Sequence, residues 1–327
     1  MDPSGSRVRA RGHQPAGSPQ EIGGWRVNLA VTLGPLSLRS PLIAASGTVG
    51  SVVEFSDSID YSLYGAAVAK SVSPEPWTGR EPPRLAPVAG GMLNGIGIQN
   101  PGIQAWIDAF GSRLTSVPVP IWGSVVAHDI DGFAHVASVI SRTDLAAIEI
   151  NLSCPNLDGA PFGLDATLSK SVVEAVRSVT DLPIGAKLSP DAQPIAAVAA
   201  ACAEAGADWV VVSNTAMGVG FDPVTRKPLL SGVVGGYSGD ALRPISLRCV
   251  VEVARDVPGI PIIGCGGISG ADHVVEYLLA GATAVAIGTA HLARPRIAKS
   301  VTKGLHRYGH THGIARIGDL VGAYEPW

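Results

Sequence analysis

Eight short apolar runs recur along the chain, at residues 41–47, 66–72, 120–126, 147–153, 183–189, 209–215, 261–267 and 284–290. Strands so continuously apolar are expected to be buried on both faces, as in a parallel sheet. Most are followed by a stretch of helical spacing. Residues 167–180 carry Leu168, Val172, Val173, Val176 and Val179 at helical intervals. Residues 193–205 and 271–280 read as helices that stop at Gly206 and Gly281, each a natural C-cap. Residues 240–256 and 292–307 fit as the last two long helices. Repeated β-then-α units predict an α/β protein, a (β/α)8 TIM barrel. A doubly wound sheet would want Gly-x-Gly-x-x-Gly after an early strand, whereas the first strand here ends in Ala-Ser-Gly-Thr. Upstream, residues 26–32 and 36–39 flank Leu33-Gly34-Pro35 and predict an N-terminal β-hairpin at the barrel bottom. Two Gly- and Pro-rich connections, 73–102 and 216–240, lack helical periodicity. Loops of that length in a compact domain are usually functional.

Composition narrows this picture. A length of 327 residues fits two domains or one barrel with additions. The repeat favours one domain over 25–327, preceded by a disordered tail at 1–24. That tail holds Arg7, Arg9 and Arg11 but no apolar core of a secretory signal. With 24 Lys+Arg against 27 Asp+Glu, nothing suggests nucleic acid or an anionic membrane as partner. No apolar run approaches the ~20 residues of a membrane span. The 4 cysteines are sparse and form no Cys-x-x-Cys pair, so no zinc or iron–sulfur cradle and no metal site is expected. Sparse cysteine suits a reducing cytoplasm.

Polar residues collect at strand C-termini. Ser46 follows the first strand, Lys70 and Ser71 end the second, and Asn151 ends the fourth. Lys187 ends the fifth, and Asn214 and Thr215 end the sixth. Lysines in apolar runs are costly to bury without a partner, and a bound anion or electron-rich ring would satisfy them. Gly264-Cys-Gly-Gly267 and Gly288-Thr289 close the last two strands, the corner where barrels commonly hold phosphate through backbone N–H groups. That phosphate could belong to a flavin mononucleotide or a phosphosugar; the glycines alone do not decide. In Asn151-Leu-Ser-Cys-Pro-Asn156, a cysteine lies between two asparagines just past a strand. Cys154 is thus a candidate base or nucleophile. Cys202, Cys249 and Cys265 read as small packing residues.

From residue 41 to about 293 the chain resembles the class 1 dihydroorotate dehydrogenases, specifically the catalytic subunit of the class 1B, NAD-linked form. The motifs that carry the likeness are Ala45-Ser-Gly-Thr48, Lys70-Ser71, Gly91-Met-Leu-Asn-Gly-Ile-Gly-Ile-Gln-Asn-Pro-Gly102 and Asn151-Leu-Ser-Cys-Pro-Asn156. They continue with Lys187-Leu-Ser-Pro190, Ser213-Asn-Thr215, Gly235-Gly-Tyr-Ser-Gly239, Ile263-Gly-Cys-Gly-Gly-Ile268 and Gly288-Thr-Ala290. The resemblance implies oxidation of (S)-dihydroorotate to orotate in pyrimidine synthesis, with one FMN per chain. Cys154 would remove the C5 proton while the C6 hydride passes to flavin N5. Lys187 would face the flavin N1/O2 edge. Asn94, Asn151, Asn156 and Asn214 would hydrogen-bond the pyrimidine. Lys70 and the backbone of Gly95, Ile96, Gly97 and Ile98 would hold its carboxylate, with Thr215 beside the ring. Gly239, Gly266, Gly267, Gly288 and Thr289 would cradle FMN, with Ser46, Ser71, Ser124, Ser213, Lys70 and Asn151 also in contact. Electrons would reach NAD⁺ through a separate subunit carrying FAD and a 2Fe–2S cluster, in a heterotetramer of two catalytic and two electron-transfer chains.

Four positions depart from the family pattern. Ser124 stands where an asparagine usually meets FMN. His291 stands where an amide is common, and reads as a solvent-exposed imidazole. Arg80 and Glu81 alter a turn. The alternatives are a fumarate-linked class 1A enzyme, a dihydropyrimidine dehydrogenase-like uracil reductase, and a non-catalytic FMN- or phosphate-binding barrel acting as an interaction protein.

Overall fold

The computed structural model describes residues 27–152 and 161–327. The proposed 1–24 tail lies outside them. In chain order come β1 (Val31–Leu33), β2 (Leu36–Leu38), β3 (Leu42–Ala44), β4 (Ala66–Val68), β5 (Leu85–Val88), β6 (Gly91–Asn94) and α1 (Ile103–Phe110). Then follow β7 (Ile121–Val125), α2 (Ile130–Ile140), β8 (Ala147–Asn151), α3 (Ala166–Arg177), β9 (Ile184–Lys187), α4 (Ile195–Glu204) and β10 (Trp209–Val212). Next are β11 (Ala216–Val219), β12 (Phe221–Asp222), β13 (Lys227–Pro228), β14 (Val234–Ser238), α5 (Arg243–Asp256) and β15 (Ile262–Cys265). The chain ends with α6 (Ala271–Leu279), β16 (Ala284–Ile287), α7 (Ala290–Ala293) and α8 (Ile297–His312).

All eight predicted strands form, and they close into one parallel barrel in the order β3-β4-β7-β8-β9-β10-β15-β16. Outside it, α1 to α6 and then α8 pack in sequence around the ring. The structure is thus the expected TIM barrel. The hairpin β1–β2 pairs Val31 with Leu38 and Leu33 with Leu36. Its turn glycine, Gly34, has φ +54°, and a Cβ there would lie 3.0 Å from the Asp208 carbonyl oxygen. Asp208 immediately precedes β10, so the hairpin abuts the N-terminal, bottom end of the barrel.

Strand register decides what fills the interior, because side chains alternate faces and paired residues share one. Added Cβ atoms on Gly123 and Gly264 would meet Ile140 of α2 and Tyr277 of α6, so these two positions face the outer helices. Their neighbours therefore face inward. Trp122 and Trp209 fill the lower interior, ring centroids 4.9 Å apart. Trp209 pairs with Gly185, where a Cβ would fall 2.0 Å from Trp209 Nε1. The pairing Ser124↔Glu149↔Gly185 makes one row of interior positions, and Asn151↔Lys187 makes the next row toward the C-terminal mouth. The barrel is greasy at its base and polar toward the C-terminal mouth.

Two expectations need correction. The last long helix is not continuous over 292–307. It breaks between α7 and α8, where Arg294 leaves helical geometry ahead of Pro295. Proline disfavours a helical residue before it and offers no N–H of its own. The 73–102 and 216–240 connections are also more ordered than their composition suggests. They pair with each other in a four-stranded antiparallel sheet, β11-β14-β6-β5, above the barrel mouth. Ala86, Leu93 and Leu230 give this roof a small buried core of its own. Its glycines permit close approach: a Cβ on Gly91 would lie 1.9 Å from the Ser238 carbonyl oxygen. Among the described residues, no helix is long and apolar enough to cross a membrane.

Candidate active site

Between the strand ends and the roof lies a cavity of about 1060 Å³. Barrel strand ends bring in Ser46, Lys70, Ser71, Asn151, Lys187, Ser213, Asn214 and Thr215. The roof and its flanks bring in Asn94, Gly95, Ile96, Gly97 and Ile98, and the closing turns bring in Gly239, Gly266, Gly267, Gly288 and Thr289. Cys154 and Asn156 lie outside the described residues. Ser124 alone among the rest does not line the cavity. It is fully buried behind Ser71, the two hydroxyl oxygens 2.8 Å apart.

The amides form a short relay. Asn214 Nδ2 donates to Asn151 Oδ1 at 3.4 Å, and Asn151 Nδ2 donates to Ser71 Oγ at 3.2 Å. Asn214 Oδ1 accepts from the Thr215 N–H at 2.8 Å, and Asn94 Nδ2 donates to the Gly236 carbonyl at 3.0 Å. Each amide is thus held by a neighbouring strand end, which lowers the entropy cost of presenting it to a ligand. Ile98 sits at φ +51°, a region a β-branched residue rarely adopts. Asn100 secures this loop. Its Nδ2 donates to the Ile98 carbonyl at 2.9 Å, and its Oδ1 accepts from the Ser73 and Gly102 N–H groups at 3.1 and 2.9 Å.

Lys187, 6% exposed, lies over Glu149, 3% exposed. The Nζ–Oε1 distance is 3.8 Å. Ser46 joins them, donating to Glu149 Oε1 at 3.1 Å and accepting from Lys187 Nζ at 3.5 Å. Glu149 is not among the residues that the strand-end pattern or the family motifs predict. A signal was present: in Ala147-Ile-Glu-Ile-Asn151 it shares the face of Asn151 by the strand's period of two. Cys265, predicted to pack, does pack against the core, and being half-buried it also lines the same cavity. Burial pushes its thiol pKa up, and the Lys187 charge partly opposes that.

The glycine corner fits a phosphate-bearing group. Gly266 and Gly267 have φ +137° and +65°, and a Cβ on Gly267 would lie 2.8 Å from the Gly239 carbonyl oxygen. A side chain at either position would collide with Ser246 or Arg243, so only glycine lets the backbone turn here and leaves its N–H groups open to the cavity. Nothing lies closer than 3.7 Å to a Cβ built on Gly288, and Thr289 Oγ1 donates to Ser238 Oγ at 2.8 Å.

His291 is not solvent-exposed. It is 2% exposed, with Nε2 2.6 Å from the Tyr64 hydroxyl and Nδ1 3.3 Å from Thr48 Oγ1. Burial lowers its pKa to about 4. Arg80 serves the roof: its guanidinium donates to the Val234 carbonyl at 2.7 Å and so ties the two long connections together.

Fold and site together define a TIM-barrel enzyme with its cavity at the strand C-termini and a glycine-rich corner where the last two strands close. The family model of dihydroorotate dehydrogenase matches residues 28–308, and the chain belongs to that family. It is 42% identical over 300 residues to the dihydroorotate dehydrogenase B (NAD(+)) catalytic subunit of Trichlorobacter lovleyi, covering 91% of this chain and 98% of that one. The corresponding subunit of Pelobacter propionicus is 40% identical over 301 residues, covering 91% and 99%. Among solved structures, DHODH of Eimeria tenella in complex with ferulenol shares the fold, with TM-score 0.75, 22% identity, and coverage of 90% of this chain and 88% of that one. Family membership implies a flavin cofactor.

Proposed function

We propose that this chain is the catalytic subunit of an NAD⁺-linked dihydroorotate dehydrogenase, oxidising (S)-dihydroorotate to orotate in pyrimidine synthesis. The observation that carries the reading is convergence: Lys70, Asn94, Asn151, Lys187 and Asn214, from five separate segments, line one cavity beside a glycine cradle. An amide offers both a donor and an acceptor, which suits the mixed edge of a pyrimidine dione. Lys70 and the backbone of Gly95, Ile96, Gly97 and Ile98 are assigned to the substrate carboxylate, and Thr215 and Asn156 to the ring. Cys154, on the resemblance of its motif, is assigned as the base for the C5 proton. Gly239, Gly266, Gly267, Gly288 and Thr289 would hold the FMN phosphate. Ser46, Ser71, Ser213 and Lys187 would border its ring, with Ser124 acting from behind Ser71. Bound FMN would supply the two-electron acceptor for the hydride leaving C6. The curated relatives are named as catalytic subunits, which supports a second chain. We assign to it FAD, a 2Fe–2S cluster and the passage of electrons to NAD⁺, in a two-plus-two heterotetramer.

Anaerobic mixing of the yellow protein with dihydroorotate should bleach the flavin without any partner. Cys154→Ser should keep FMN and slow that bleaching at least ~100-fold at neutral pH, the ordinary scale of a lost general base. NAD⁺ reduction should require the second subunit. Rapid fumarate-dependent turnover by the lone chain, or uracil reduction without dihydroorotate oxidation, would overturn the assignment.

A further inference from the structure

Glu149 faces the barrel interior one level below Lys187, yet it is absent from the cavity wall that Ser46 and Lys187 help to form. It is therefore screened from any ligand by the two groups it binds. A buried ammonium without a counter-charge is costly, and an ion pair this deep is weakly screened by solvent or salt. We propose that Glu149 is a positioning residue for the redox centre: through Ser46 it holds the Lys187 ammonium at the cavity floor and cancels part of its charge. The ring above would then meet the field of a compensated pair, 3.8 Å between charges, instead of that of a lone cation. A lone cation would favour the negative charge a flavin gains on reduction. The compensated pair favours it less, so the bound cofactor is a stronger donor to the next carrier.

This inference rests on the FMN reading of the cavity and is tested apart from turnover. The reductive midpoint potential of bound FMN is measured in the wild type, in Glu149→Gln and in Glu149→Asp, with the FMN content of each determined first. Glu149→Gln should raise the potential. At a fixed poise the ratio of reduced to oxidised flavin should rise about tenfold, which is about 30 mV for a two-electron couple. Glu149→Asp, which keeps the charge, should stay near the wild type. If Glu149→Gln does not fold, Glu149→Met fills similar space without charge and carries the same expectation. An unchanged or lowered potential with FMN bound would overturn the role of Glu149 and leave the proposed activity standing. Failure of the wild-type chain to bind FMN would overturn the FMN reading itself.

Discussion

His291 shows how one buried residue couples the site's frame to pH. Its imidazole is held between Tyr64 and Thr48 just beyond the Gly288-Thr289 turn, and burial brings its pKa from 6.5 to about 4. Above pH 6.5 the ring is neutral in folded and unfolded chains alike, and it imposes no penalty. Between pH 6.5 and 4 the unfolded chain takes up a proton that the folded one does not, so stability falls with falling pH. The full effect is about 3 kcal/mol at the acid end of that window. Tm measured against pH should fall more steeply for the wild type than for His291→Gln, which keeps hydrogen-bonding capacity without titrating. Parallel profiles would exclude the effect. At this scale the sequence was informative wherever chemistry follows residue type at a strand end, as for Lys187 and Asn151. It was silent on environment. The burial of His291 was not legible, because exposure depends on what distant segments place against a side chain.

The roof is the element-scale finding. Glycines disguised β6 and β14 as loop, since strand propensity is largely a matter of side-chain packing on a pleated surface, and these strands pack backbone against backbone. Gly236 is the tightest such point facing the substrate residues. A Cβ there would lie 2.1 Å from Thr215 Oγ1 and 3.2 Å from Asn94 Nδ2. Gly236→Ala should therefore displace Thr215 and Asn94 while leaving the barrel intact. We expect kcat/KM for dihydroorotate to fall at least ~10-fold, which corresponds to about 1.4 kcal/mol, with Tm near that of the wild type. Steady-state kinetics together with a melting curve check this. An unaltered kcat/KM would mean that the roof does not position those side chains.

On the scale of the whole molecule, the cavity is enclosed by segments that run from Ala45 to Arg294. A ligand filling it should stabilise the fold as a unit. A group bound only by the folded state adds about 2.7 kcal/mol when present at a hundred times its Kd. Removal of FMN should therefore lower Tm by several degrees, and re-addition should restore it in a concentration-dependent manner. Calorimetry of stripped and reconstituted protein measures this, and identical melting of the two forms would argue against a flavin seated in the cavity.

By itself the sequence determined that eight strands exist, that they are buried on both faces, and that polar residues crowd one end of them. These properties are local: a run of β-branched residues, a glycine at a helix end or a lysine closing a strand carries its meaning within a few positions. Only the tertiary structure decided that Ser46 and Glu149, 103 positions apart, would share a hydrogen bond. It also decided that Ser124 would stand behind Ser71 and that two glycine-rich connections would meet as one sheet. Barrel closure and strand register set those distances. Register is a relation between strands, fixed by the packing of the whole interior at once.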